Sequence, residues 1–441
     1  MRLKKFLDAA VAAGADEAEV YLSVSRSTSI EVLKGSIESI NIKDETGIGL
    51  RTFRGGRLGF AYMTDPNESS AAGLAARAAA NAKNAYPDPN NQIPLPEKQE
   101  AKLDLFDGKI DQLSEKEKIE AAVSMEKASY EFDKRVSKTE KAVYQDSEAE
   151  VLILNSKGMD AGYRENLCGS HIEIIAEENG LMETGYCSRF SRFLDSFDPM
   201  DVGRTAAQRA VELLRAGSAP SQKLTLVLPP FVACEFLDAT SPLFSSDFVQ
   251  KGKSALAGKL GDAVASNSVT IIDDGLLPGG IGTSPFDAEG VPTGKTVLVE
   301  NGKLKSYLYN SYTAKKDKVS STGNAVRGGF SGTPQVGTTN MYIKKGSIPP
   351  AELIKNVVKG LFVTRVMGMH TVNPISGDFS VGAAGILIER GKKTSPVRGI
   401  TIAGNLIETL RNISEVGNDL EFEITFGSPT LVIPGISIGG S

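Results

Sequence analysis

Two histidines, His171 and His370, are all that this chain offers to chemistry that needs an imidazole. His370 leads the stretch "HTVNPISGDFSVGAAG", in which Ser376, Asp378 and the glycines Gly377, Gly382 and Gly385 follow. A serine or cysteine nucleophile needs a base beside it, so such machinery must draw on one of these two imidazoles. His370 is the better placed, because Ser376 and Asp378 lie in the loop behind it. The same loop also reads as a glycine-shaped turn closing the strand pattern "LFVTRVMGM", with the histidine packed or solvated. Cys168 and His171 make a C-x-x-H pair to which Cys187 could add a third zinc donor. On a strand, however, positions i and i+3 point to opposite faces, which leaves His171 with Glu173 on the polar side. "KGKS" at 251–254 has the tail of a P-loop, but Asp247 stands where that loop needs its first glycine, and a carboxylate repels phosphate. Asp273 and Asp274 close a strand before Gly275 and read as a turn cap. These residues name no mechanism, and the usual catalytic kit is nearly absent.

The totals narrow the field. The chain has 441 residues, 54 acidic against 49 basic, and a net charge of −5. That length predicts two or three domains. Its basic residues are interleaved with acids, whereas phosphate neutralisation needs them clustered, so direct nucleic-acid binding is disfavoured. No apolar run reaches the roughly 18 residues of a membrane span. The opening "MRLKKFLDAAVAAGADEAEV" imitates a signal peptide, but Asp8 interrupts it. Leu3, Phe6, Leu7, Ala10 and Val11 recur at helical spacing, with Gly14 as the stop, and the expectation is an amphipathic helix on a cytoplasmic protein. Three widely spaced cysteines fit reduced thiols rather than a disulfide framework.

The elements that must position these groups follow from pattern. Residues 18–63 alternate apolar and polar between glycine-bearing turns, which predicts a meander of four or five antiparallel strands. An alanine-rich helix is expected near 68–85. Prolines at 87, 89, 94 and 96 then exclude helix and central strand. Ser114 with Glu117 forms a capping-box signature for a helix reaching about 132. Strands return over about 140–192, with a hairpin at Asn179-Gly180. Asp198 and Pro199 start a helix that Gly217 closes. After "SAPSQK" come the strand "LTLVLPP", helical segments over about 231–265, the strand "VTIIDD", a hairpin at Asn301-Gly302, and helices near 351–360 and 405–415. The fold class is α+β. Residues 1–220 form an N-terminal region of antiparallel meander plus helices, with sub-parts about 1–86 and 102–217 joined by a linker at 87–101. Residues 221–441 form a β-rich α+β domain.

The segments "ISGDFSVGAAGILIERGKKTSPVRGITIAGNL" and "LRNISEVGNDLEF" resemble the signature of the TldD/PmbA family, once labelled modulators of DNA gyrase. "GKSALAGKLGDAVAS", "STGNAVR" and the N-terminal meander are similar too, so the likeness runs in order along nearly the whole chain. It is greatest to the PmbA branch, also called TldE. The TldD branch is a zinc peptidase whose helix carries H-E-x-x-x-H, with a cysteine near the C-terminus completing the metal site. The corresponding stretch here, "FVACEFLDATSPLFSSDFVQKGKS", has Cys234 and Glu235 but no histidine, and "GNDLEFEITFGSPTLVIPG" has no cysteine.

The resemblance therefore implies a chain without zinc ligands or cofactor of its own. It would act with a TldD-type partner that holds the zinc, on small or unfolded polypeptides, with self-pairing when isolated. No residue is assigned as catalytic. A peptide or partner groove is expected to involve Glu235, Asn324, Arg327, Gly328, Gly329, His370, Gly377 and Asp378, with Arg327 as an anchor for a substrate carboxylate. Two alternatives stand beside this: a hydrolase in its own right using Glu235, Asp238 or Asp378, and a modulator of gyrase acting by protein–protein binding.

Overall fold

Sustained alternation of apolar and polar residues builds very long strands in the first half of the chain. The computed structural model describes residues 2–98 and 101–440. Helix α1 (Lys4–Ala12) leads into β1 (Glu17–Leu33), β2 (Ser36–Arg54), β3 (Arg57–Thr64) and α2 (Ala71–Asn84). After α3 (Gly108–Asp111) and α4 (Glu115–Phe132) come β4 (Val136–Asn155), β5 (Asp160–Glu178), β6 (Leu181–Ser191) and α5 (Pro199–Val211). The strands form one antiparallel sheet in the order β3-β2-β1-β4-β5-β6.

The expected four or five strands over 18–63 are three long ones. Gly47 and Gly49 lie inside β2 instead of in turns. The Phe330 ring packs on Gly47 so closely that a Cβ there would come within 2.4 Å of it. The turns are at Lys34-Gly35 and Gly55-Gly56, all with positive φ.

The two faces of this sheet serve different neighbours. Val20, Leu22, Ile48 and Leu50 pack under α1 and α2 with Phe6 and Leu74. Ile30, Tyr144, Ile172 and Cys187 pack under α4 and α5 with Met125 and Val202. The opposite face, through Tyr21, Val151 and Ile153, meets Phe286 and Phe330 from the second half of the chain.

Helix α4 starts with the expected reciprocal cap between Ser114 and Glu117. Helix α5 starts at Asp198-Pro199 but ends at Val211, and Gly217 instead pairs with the strand segment around Val397. Helices α4 and α5 touch at Gly203, where a Cβ would lie 2.0 Å from the Met125 carbonyl oxygen. Gly203→Ala sets two effects in opposition. Helix propensity gains about 1 kcal/mol, while overlap with a backbone atom costs about 1–3 kcal/mol because no rotamer change relieves it. The overlap should win. Urea denaturation is expected to show a net loss of about 1–2 kcal/mol; equal or greater stability would mean that the helices part without penalty.

In the second half, β7 (Gln222–Leu228) is followed by α6 (Pro230–Thr240), α7 (Ser246–Gln250), β8 (Ile271–Asp274), β9 (Lys295–Glu300) and β10 (Lys303–Leu304). Next come α8 (Ser311–Asp317), β11 (Ala325–Val326), β12 (Gln335–Val336), β13 (Met341–Ile343) and α9 (Pro350–Lys355). The chain then runs through β14 (Lys359–Met367), β15 (Asp378–Glu389), β16 (Lys392–Asn405) and α10 (Leu406–Arg411). It finishes with β17 (Glu415–Val416), β18 (Glu421–Glu423), β19 (Phe426–Ser428) and β20 (Leu431–Gly439). One sheet has the order β10-β9-β8-β13-β19-β18, and another β16-β15-β14-β7-β20-β17. In the latter, β16 also pairs with β20 and closes the sheet on itself. The helical reading of 231–265 holds only to Gln250, because Gly252, Gly258 and Gly261 take positive φ and break it into turns. The helices expected near 351–360 and 405–415 stop at Lys355 and Arg411. The architecture is α+β. Among the described residues, no helix is long and apolar enough to cross a membrane.

Candidate functional site

Helix α6 starts at Pro230, whose fixed φ suits a first helical turn and ends β7 at the same time. It turns Val232, Ala233, Phe236 and Leu237 into the core and leaves Glu235 and Asp238 at the surface. Phe236 meets Phe379 edge-on, the ring centroids 5.5 Å apart. Beside the helix lie β18 and β19, which bring Glu421 and Glu423 towards it. Glu235 stands in a recess, where surrounding protein and then Glu423 and Asp238 push its carboxyl up to about 7, against the pull of Arg209. Burial raises Asp238 and Glu421 as well. Arg189 donates to Glu423 and lies 3.8 Å from Glu421. Between β6 and α5 on one side and α6, β14 and β18 on the other opens a cleft of about 630 Å³.

Cys234 points inward. Its Sγ donates to the Phe426 carbonyl at 3.2 Å, and burial pushes the thiol up to about 12, so it stays protonated. Zinc binds thiolate, neutral imidazole and carboxylate, usually in sets of three or four. The α6 segment has no imidazole and its one thiol is committed to a backbone carbonyl. Among the described residues, no cluster of three or more His, Cys, Asp or Glu side chains is placed to hold a metal ion. The residues present do not fit a zinc centre.

The C-x-x-H pair divides as the strand pattern requires. Cys168 and Cys187 are buried in the core under α4 and α5. His171 lies on the other face of β5, opposite Ser188, its pKa lowered chiefly by burial. In "KGKS", Lys251 pairs with Asp247 at 2.8 Å and Ser254 donates to the Leu243 carbonyl at 2.6 Å, so nothing there cradles phosphate.

His370 sits exposed in a 3-10 turn after Gly368, beyond the end of β14 rather than on it. Met369 and Val372 of this loop pack towards the core that α6 shares. Asp378 accepts from the Asn405 amide at 2.9 Å, and its backbone N–H donates to Ser376 at 3.3 Å. Hydrogen bonds to the carboxyl from the Asn405 and Ser376 side chains hold it below the usual range. Among the described residues, no hydrogen bond joins His370 to Ser376 or Asp378, and no triad forms. Gly377 has φ +80 and shapes the turn.

The glycine-rich segment 322–340 is pinned at several points. Its strands β11 and β12 pair with each other. The Asn324 amide donates to Asp273 at 2.7 Å and to the Gly337 carbonyl at 3.1 Å. Asp273 also accepts from the Thr339 N–H and hydroxyl, each at 2.8 Å. Burial pushes Asp273 up to about 6 despite these bonds. Of the acid pair read as a turn cap, only Asp274 caps, accepting from the Leu276 N–H at 3.1 Å. Asp273 is a buried clamp, and nothing local in "IIDDG" distinguishes it.

Arg327 is buried at the junction of the two halves, with its side chain 1% exposed. It donates to Glu19 of β1 and to the Ala288 carbonyl, and stacks on Tyr21 at 4.6 Å. Its charge is thus already matched, and only Nη1 lacks a partner. Gly328 is exposed, and Gly329 has φ +79. The expected groove residues fall into three places: Glu235 on α6, Asn324 to Gly329 on the pinned segment, and His370 to Asp378 in the turn.

Models of the PmbA/TldA metallopeptidase family match three stretches: domain 1 over residues 18–82, the central domain over 108–214 and the C-terminal domain over 221–440. The chain is 30% identical to metalloprotease PmbA of Escherichia coli O157:H7, covering 96% of this chain and 92% of that one. Haemophilus influenzae supplies two relatives. Its metalloprotease TldD homolog is 29% identical, covering 97% and 93%, and its PmbA homolog 27% identical, covering 99% and 94%. Among solved structures, TldE from Thermococcus kodakarensis superposes with a TM-score of 0.92 at 26% identity, covering 99% of this chain and 100% of that one. A Thermotoga maritima protein described as a candidate modulator of DNA gyrase gives 0.91 at 27%, covering 99% of each.

Proposed function

The chain belongs to the PmbA/TldA metallopeptidase family, and from that premise we propose that it is the PmbA (TldE)-type subunit of a cytoplasmic peptidase assembly whose TldD-type partner carries the zinc. The observation that carries this reading is helix α6, where the imidazole donors are missing and the thiol of Cys234 is a protonated core group. The occurrence of a TldD homolog and a PmbA homolog in one organism, both similar to this chain, supports a division of labour between two related subunits. The substrates would be small or unfolded polypeptides.

Purification of the chain alone, and again with a TldD-type partner, tests the proposal. Stoichiometric zinc and peptide cleavage are both expected in the mixture, and neither in the isolated chain. Cleavage by the isolated, metal-free chain would overturn it.

One observation favours a second reading, a hydrolase in its own right. Glu235, with a carboxyl pushed up to about 7, is poised to exchange a proton near neutral pH. Glu235→Gln would then abolish a peptidase activity of the isolated chain, whereas the subunit reading expects no such activity to lose.

A further inference from the structure

We propose that the cleft between α5 and α6 binds the C-terminal end of a peptide, its carboxylate held by Arg209 and Lys393. The proposal rests on the reading that this chain handles polypeptides, and it names the part of the polypeptide recognised.

At about 630 Å³ the cleft is within the range of small-ligand sites, roughly 300–1,000 Å³. Arg209 lies over Phe231 with its guanidinium carbon 3.8 Å from the ring centroid. The Lys393 ammonium stands 3.2 Å from the centroid of Phe362. These ring faces hold both cations in place without neutralising them.

The cleft is lined by three cations and three acids, but they are not paired one to one at contact distance. Of its three cations, Arg189 is paired with Glu423. Among the described residues, neither Arg209 nor Lys393 has a carboxylate within ion-pair distance; Arg209 donates only to the Tyr186 carbonyl, at 2.8 Å. Of the three acids, Glu421 lies 3.8 Å from Arg189, and Glu212 accepts from Gln208 at 2.8 Å. Asp201 is in the first turn of α5, where the helix dipole favours a negative charge. Arg209 and Lys393 are thus the two lining cations without an ion-pair partner, with Glu421 acting on Arg209 and Glu212 on Lys393 only from beyond that distance. Thr364 adds a buried hydroxyl on the cleft wall with no partner.

A peptide C-terminus supplies what these groups lack. Its carboxylate satisfies two cations, and the last side chain lies along the phenylalanine rings. A peptide N-terminus is cationic and would be repelled by the same pair.

Fluorescence anisotropy on the isolated full chain tests this with an N-terminally labelled hexapeptide ending in leucine, as the free acid and as the C-terminal amide. The acid is expected to bind at least about tenfold more tightly. Lys393→Met, which removes the charge but keeps an apolar side chain over Phe362, should remove most of that preference, and Lys393→Arg should keep it. Arg209→Met should act like Lys393→Met, with an unchanged thermal midpoint as the control for folding. Equal affinity for acid and amide, a preference that survives both methionine variants, or no binding of either peptide would overturn the proposal. So would equal displacement of the peptide by acetate, which would assign the cleft to small carboxylates. The result is independent of the reconstitution experiment, because an isolated chain that cleaved peptides would sink the subunit reading and leave the acid–amide comparison untouched.

Discussion

Glu19→Gln is expected to destabilise the folded chain by on the order of 3–5 kcal/mol, because it leaves a buried positive charge without its counter-charge. Glu19 is fully buried, and burial alone would raise its pKa; Arg51 and Arg327 outweigh that and hold the carboxyl below the usual range. Arg51 donates to Glu19 at 2.7 Å and to Glu289 at 2.8 Å, and Arg327 donates to the other oxygen of Glu19. Two cations and two anions therefore balance within one dry cluster. Glutamine keeps the shape but places an amide N–H against a guanidinium. Arg327→Met should cost a similar amount by stranding part of the charge on Glu19. The double variant removes one charge of each sign and leaves Arg51 paired with Glu289. Its loss should fall well below the sum of the single losses, by about 1–3 kcal/mol. Urea denaturation of the four proteins measures this. Strict additivity would show that the cluster is not a coupled unit.

The same cluster ties the first sheet to the glycine-rich segment, so its loss should be visible locally. With Arg327 replaced, residues 327–334 keep the β11–β12 pairing, the Asn324 clamp at their base and the packing of Phe330 on the sheet, but lose their charged tie to β1. Limited proteolysis should then cut within this hairpin sooner than in the native chain.

What the sequence reveals and what it hides divides by range. Ser114 and Glu117, three residues apart, announce α4 because both halves of the cap are local. Asn179-Gly180 and Asn301-Gly302 announce hairpins because both residues of each pair take positive φ, which those residue types tolerate. Gly47 misleads for the opposite reason. It is small because Phe330 lies on it, and a contact spanning so much chain leaves no local period. Asp273 and Arg327 are hidden in the same way, since their partners Thr339 and Glu19 lie 66 and 308 residues away. The α6 region shows both sides. The missing imidazoles are legible in the composition, but the cleft beside the helix is built with Arg209 and Lys393, which no spacing connects.

Asp273 should make the chain less stable as pH rises from about 4 to about 6. Its carboxyl has an ordinary value of 3.8 and is pushed up to about 6 in the folded chain, mainly by burial. Within that window the folded state keeps a proton that the unfolded state has released, so stability falls with rising pH. Below the window both states are protonated and the contribution is fully present; above it both are ionised and the loss is complete. The span corresponds to roughly 3 kcal/mol. Asp287, also raised by burial and by its neighbour Glu289, acts in the same direction, so the native chain alone cannot isolate one group. Asp273→Asn can. Its amide oxygen still accepts from the Thr339 N–H, and the Thr339 hydroxyl and the Asn324 amide can reorient towards its NH₂ group, the latter giving up its bond to the Gly337 carbonyl. The variant should fold with a loss that does not depend on pH, and without the titration. The stability of the native chain relative to this variant is expected to fall by roughly 3 kcal/mol across the window and then to level off. A difference that stays constant from about pH 4 to about pH 6 would mean that the Thr339 and Asn324 hydrogen bonds keep the buried carboxylate ionised throughout, and that the clamp is held by charge rather than shared with a proton.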